Sequence, residues 1–314
     1  MTDKFDYDLF IVGAGSGGVR AARMAASQGA RVGVAEDRDL GGTCVNVGCV
    51  PKKLFVYASK FPDIFHIGNS YGWSFDSAKF DWHALRDNKN SEIARLNTIY
   101  ADLLNSSGAD LFSERAFLKG PNTVIVGGKS YSARYILLAV GGWPYIPEFP
   151  GSQYALSSNE MFFLERLPET AVVVGGGYIA LEFAGILNGL GVSTHLIYRG
   201  QRLLKSFDSE MTDKVEQGMR SKGVKIHLNT KVDSIEFVNE SHDVFLSDGR
   251  CVSADLVLYA TGRRANTNHL GLENTSVKTR HDGSIIVDKD FRTHEPSIFA
   301  LGDVIDRVQL TPVA

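Results

Sequence analysis

The sequence predicts an α/β protein with two doubly wound, Rossmann-like nucleotide-binding domains, the second inserted in the first. Two observations carry that prediction. An apolar run, a glycine-rich turn and a helix-like stretch follow one another near the N-terminus, and the same order recurs over 168–198. A final apolar run, 297–304 (SIFALGDV), lies far downstream of both and reads as a strand returning to the first domain. The expected boundaries are 1–144 for the first domain, 145–264 for the second and 265–314 for the return segment.

In chain order, 6–13 (DYDLFIVG) is a short apolar run ending in glycine, the pattern of a strand buried on both faces. Residues 16–29 read as a helix and 30–36 (ARVGVAE) as the next strand, which completes one βαβ unit. An amphipathic helix is expected over 91–107, strands within 116–126, and another buried strand over 135–142 (YILLAVGG). Three prolines within 143–151 mark a crossover. The second unit comprises strand TAVVVGGG, helix YIALEFAGILNGLG and strand VSTHLIY, and 255–262 (DLVLYATG) adds a further strand.

A length of 314 residues favours two domains over one. A net charge of −3, with both signs interspersed, creates no basic field, so nucleic acid is not an expected partner. No apolar run reaches the roughly 18 residues of a membrane span. The opening MTDKFDYDLF lacks the basic-then-apolar order of a secretory signal, and a cytoplasmic location is expected. Three cysteines, Cys44, Cys49 and Cys251, are too few and odd in number for a disulfide framework. They leave room for a catalytic pair and one bystander, Cys251.

Gly13, Gly15 and Gly18 form G-x-G-x-x-G at a strand-to-helix turn. The first glycine makes the turn, the second admits a pyrophosphate, and the third lets helix and strand approach. Glu36 ends the next strand, where a carboxylate can accept from ribose hydroxyls. The alternative is a glycine-rich turn without a ligand. In the second motif, Gly175, Gly177 and Ala180, the strand-end position holds Arg199 instead of an acid. A guanidinium there suits the 2′-phosphate of NADPH, with Arg202 and Lys205 on the same loop. Otherwise these are solvated loop charges.

Residues 41–53 (GGTCVNVGCVPKK) place Cys44 and Cys49 at C-x₄-C spacing. The sulfurs can meet if Cys49 opens a helix, and Pro51 suits its first turn. A helix N-terminus would then favour a thiolate at Cys49. A zinc half-site or two structural cysteines are the alternatives. Zinc needs four ligands, no second such group accompanies the pair, and no metal is expected.

On these motifs the chain resembles the pyridine nucleotide-disulfide oxidoreductases, and within them the glutathione reductases, lacking the C-terminal interface domain. The resemblance implies FAD at the first motif, with Gly13, Gly15, Ser16, Gly18, Glu36, Thr43, Gly141 and Asp303 as contacts. It implies NADPH at the second, held by Gly177, Arg199 and Lys205, with Tyr178 covering the flavin until nicotinamide arrives and Arg263 beside the nicotinamide. Lys52 and Glu182 would pair near the flavin and steer hydride arrival, and Cys44 and Cys49 would carry the redox disulfide. Ser16, Arg23 and Tyr100 match positions that contact glutathione disulfide, and Arg20 shares a helix face with Arg23. A homodimer is implied, with a proton-donating His from the other subunit; none of the eight histidines here sits in that motif. Rival expectations are a thioredoxin reductase, a dihydrolipoamide dehydrogenase, or a flavin-binding fragment without turnover.

Overall fold

The computed structural model describes residues 5–74 and 78–314, so the first four residues of the opening stretch lie outside it. The chain divides into two compact units. One comprises Met1–Val50, Ser91–Trp143 and Arg263–Ala314, the other Pro51–Asn90 and Pro144–Gly262.

The first unit is built on a seven-stranded sheet. Its parallel part runs Asp110–Phe112, Val32–Ala35, Tyr7–Val12, then Lys129–Leu138 flanked by Ile298–Ala300. The downstream run therefore does return to the first sheet, with Ile298 opposite Ile136. It is a strand only over Ile298–Ala300; a 3₁₀ turn, Gly302–Ile305, takes the rest and carries Asp303. Alternation along Tyr7–Val12 sends Phe10 and Val12 into one core and Ile11 into another, so both sheet faces are covered. Helix Ser16–Ser27 lays Val19 and Ala22 against the Ile11 side. The expected strand 135–142 proves to be two: Lys129–Leu138, then Gly142–Pro144 after Gly141 at φ 69°.

The second unit holds a four-stranded parallel sheet, in the order Lys225–His227, Ser193–Ile197, Thr170–Val174, Leu256–Tyr259. Helix Tyr178–Gly189 buries Ala180, Phe183, Ala184 and Leu187, as its nearly continuous apolar sequence requires. Sequence reading missed the antiparallel sheet Val232–Val238, Ser241–Leu246 and Cys251–Ala254, whose strands are short and half exposed. The helix expected from 91 begins at Trp82, because Asp81 caps it by accepting from the amides of His83 and Ala84 at 2.8 and 3.2 Å. Among the described residues, no helix is long and apolar enough to cross a membrane.

Candidate functional site

In the first unit the strand–turn–helix has the geometry its glycines imply. A Cβ on Gly18 would lie 1.8 Å from the Gly13 carbonyl oxygen, so only glycine lets the helix sit this close to the strand end. Gly15 caps the helix without a side-chain bond, and a Cβ there would meet only Gly42 Cα, at 3.7 Å. Ser16 begins the helix. With no side chain at Gly15 to cover them, the amides at this helix head suit an anion. Glu36 accepts from Ala14 N at 2.8 Å and Arg38 N at 3.2 Å, and burial pushes its carboxyl above the usual range against those two donors. Each oxygen keeps a lone pair for a ribose hydroxyl. Gly141 leaves open space where a Cβ would stand. Donors and space together fit an adenine dinucleotide such as FAD.

Asp303 lies against Gly142 in the same unit, and its carboxyl is raised by burial, which Arg263 opposes from 3.5 Å. Arg263 also donates to the Gly142 carbonyl. The structure thus brings Arg263 to Asp303.

Cys44 rides on the short helix Gly42–Asn46, and Cys49 opens helix Cys49–Ser59 with Pro51 buried in the first turn. Thr43 closes the loop, its carbonyl accepting from Val47 N at 2.9 Å. Asn46 Nδ2 donates to the Gly42 and Leu40 carbonyls at 2.9 and 3.0 Å, and Asn97 donates to Asn46 Oδ1 at 2.9 Å. Both cysteines are thiols, Cys44 half-buried and Cys49 exposed. Hydrogen bonding to Cys49, then burial, pushes the Cys44 thiol far above its usual range. A thiolate at Cys49 would meet the amides of its helix head. Thr311 adds a hydroxyl 3.8 Å from Cys49 Sγ. Thr311 also lowers the Cys44 thiol against those two causes, so removing its hydroxyl as Thr311→Val is expected to raise that thiol further. Ultraviolet titration of the thiolate reads the shift; an unmoved midpoint excludes the role. Cys251 is exposed on a strand, away from this pair in sequence, and its thiol is raised by burial and by Asp243 and Glu236.

Helices Ser16–Ser27 and Trp82–Ser107 leave a groove of about 300 Å³ between them. Arg20 and Arg23 line it together, as their i, i+3 spacing predicts, facing Leu103, Ser106 and Ser107. Ser16 and Tyr100 do not line it; Tyr100 packs partly buried against the core beneath the first helix.

In the second unit Gly175 has φ 146°, and a Cβ there would lie 2.4 Å from the Ala260 carbonyl oxygen. Gly177 caps helix Tyr178–Gly189 and faces open space, which fits a second nucleotide. The following loop folds back on this turn: Leu204 N donates to Gly176 O at 2.7 Å, and a Cβ on Gly176 would strike the Tyr198 ring. The loop presents Arg199 and Lys205, both exposed and without an ion-pair partner among the described residues, whereas Arg202 pairs with Asp213 at 3.8 Å. Lys52 Nζ meets Glu182 Oε1 at 2.8 Å, both half-buried. Tyr178 heads its helix, 46% exposed. Among the described residues no cluster of His, Cys, Asp or Glu could hold a metal.

Sequence reading missed Asn97 and Thr311. Asn97 reaches the dithiol loop from a separate helix, and Thr311 lies 262 residues from Cys49, so no local spacing signalled either.

The family model described as pyridine nucleotide-disulphide oxidoreductase matches residues 7–314. A glutathione reductase from Burkholderia cepacia is 43% identical over 311 residues, covering 99% of this chain and 69% of that protein. A chloroplastic/mitochondrial glutathione reductase from Pisum sativum is 45% identical over 323 residues, covering 99% of this chain and 58% of that protein. Among solved structures, the HOCl-induced flavoprotein disulfide reductase RclA from Escherichia coli superposes with a TM-score of 0.88 at 26% identity, over 98% of this chain and 68% of that one.

Proposed function

This chain belongs to the pyridine nucleotide-disulphide oxidoreductase family, and from that premise we propose that it reduces glutathione disulfide with electrons from NADPH, through FAD and a Cys44–Cys49 dithiol. The observation that carries the proposal is the pair of thiols at a helix head, in one compact unit with the first glycine turn. Gly13, Gly15, Ser16, Gly18, Glu36, Thr43, Gly141 and Asp303 would hold FAD, with Arg263 orienting Asp303. Gly177, Arg199 and Lys205 would hold NADPH beside Tyr178. FAD supplies the means of turning hydride from NADPH into an electron pair for the disulfide.

Two electrons break the Cys44–Cys49 bond and leave Cys49 as thiolate and Cys44 as thiol. Once a base removes its proton, Cys44 attacks one sulfur of glutathione disulfide, and one glutathione leaves as thiolate and takes up a proton. Cys49 then attacks Cys44 Sγ in the mixed disulfide, freeing the second glutathione and restoring the starting bond. One NADPH and one proton are consumed for two glutathiones. The raised thiol of Cys44 makes the base necessary. Arg20 and Arg23 would draw substrate carboxylates to their groove, and Ser16 and Tyr100 would contact the substrate outside it. The working form implied is a cytoplasmic homodimer with no nucleic acid or membrane partner.

NADPH oxidation by the FAD-loaded protein tests the proposal. Oxidation that depends on glutathione disulfide is expected. Dependence on thioredoxin or lipoamide instead, or none with any of the three, overturns it.

A further inference from the structure

Lys89 is charged, only 2% exposed, and faces no carboxylate among the described residues. Its ammonium donates to the Phe162 carbonyl at 2.8 Å and to Asn90 Oδ1 at 2.5 Å, and lies 5.0 Å from the Phe163 ring centroid. Burial, with Arg86 pushing the same way, lowers it to about 8. Seven residues earlier, two turns along the same helix face, Trp82 Nε1 donates to the Leu164 carbonyl at 2.8 Å. Helix Trp82–Ser107 thus grips 162–164 at two points.

The gripped segment carries Phe162, whose ring is 1% exposed and stands 5.4 Å from Phe183 and 5.8 Å from Phe55. Phe55 in turn lies 5.1 Å from Trp82. Phe55 follows Lys52 by three residues on helix Cys49–Ser59, and Phe183 adjoins Glu182 on helix Tyr178–Gly189. One aromatic cluster therefore joins the two helices whose Lys52 and Glu182 meet at 2.8 Å. Close packing transmits displacement in such a cluster, because its members have no free volume to absorb it.

We propose that Lys89 is a positioning residue for the reduction step: it fixes Phe162, and through Phe55 and Phe183 it sets the Lys52–Glu182 pair. The proposal rests on the reading that this pair serves hydride arrival. An apolar side chain of the same length would fill the space without burying a cation, so the ammonium is explained better by what it aligns than by what it stabilises.

The test uses the FAD-loaded protein mixed with NADPH by stopped flow, with ¹³Cε NMR of the lysines as a readout independent of turnover. Lys89→Met is expected to slow flavin reduction at saturating NADPH about tenfold, the scale of a small misplacement of reacting groups, with NADPH affinity unchanged. The Lys52 resonance should move to its unpaired position. Phe162→Leu, which leaves the carbonyl in place, should give the same two changes. Glu182→Gln should slow reduction by itself, and Lys89→Met added to it should cost less than about twofold more. Unchanged reduction with an unmoved Lys52 resonance in both Lys89→Met and Phe162→Leu, or losses that multiply with Glu182→Gln, would overturn the proposal. Normal reduction in Glu182→Gln would instead sink the role of the ion pair, and the Lys52 resonance would still report whether Lys89 sets it.

Discussion

Cys49→Ser is expected to abolish disulfide reduction and, with it, any long-wavelength charge-transfer band between a thiolate and oxidised FAD. Cys44→Ser should be equally inactive yet show that band without reductant. The two effects differ because the thiols have different work. Cys49 heads a helix whose amides favour a negative charge there, and hydrogen bonding to Cys49 and burial raise the Cys44 thiol. Serine at 44 removes the partner that would oxidise Cys49 and leaves its thiolate standing. Serine at 49 leaves only Cys44, which does not head that helix and whose thiol burial still raises. Turnover should fall in both variants on the order of 10⁴- to 10⁶-fold, the range that loss of a covalent catalytic group costs elsewhere. A visible spectrum of each purified variant checks the assignment. The band surviving in Cys49→Ser and absent from Cys44→Ser would reverse the two roles.

Arg199→Glu should erase most of the preference for NADPH over NADH. Arg199 and Lys205 project from a loop tied back to the second glycine turn, and among the described residues neither is engaged by an acid. Two partly exposed, charge-assisted hydrogen bonds of roughly 1.5–3 kcal/mol each, discounted for solvent, suggest a preference on the order of 10²-fold at about 1.4 kcal/mol per decade. A glutamate at 199 removes one bond and repels the 2′-phosphate, while NADH lacks the group and should bind nearly as before. Arg202→Ala is the internal control: its guanidinium already pairs with Asp213, so the cofactor ratio should change little. Flavin reduction rates across a titration of each cofactor read the ratio. A ratio left intact in Arg199→Glu would remove that residue from phosphate recognition.

What the sequence determined by itself is local. Gly18, Gly175 and the C-x₄-C pair are legible because a tight turn, a left-handed backbone or a helix head constrains a few consecutive residues, and steric limits act at that range. Arg199 is legible for the same reason, standing one strand beyond its turn. The Lys52–Glu182 contact, 130 residues apart, came from family resemblance and from no spacing in the chain. Only the tertiary structure decided that Thr311 meets Cys49, that Asn97 braces the dithiol loop, that Arg263 pairs with Asp303 and that Lys89 lies buried under Phe162. It also decided where elements stop: the return strand ends at Ala300, where the chain turns to present Asp303, and the long helix begins at Trp82, where Asp81 supplies its cap. Such meetings are set by the order in which strands pair and by which helix faces pack together, and distant side chains brought together that way share no period or motif in the sequence.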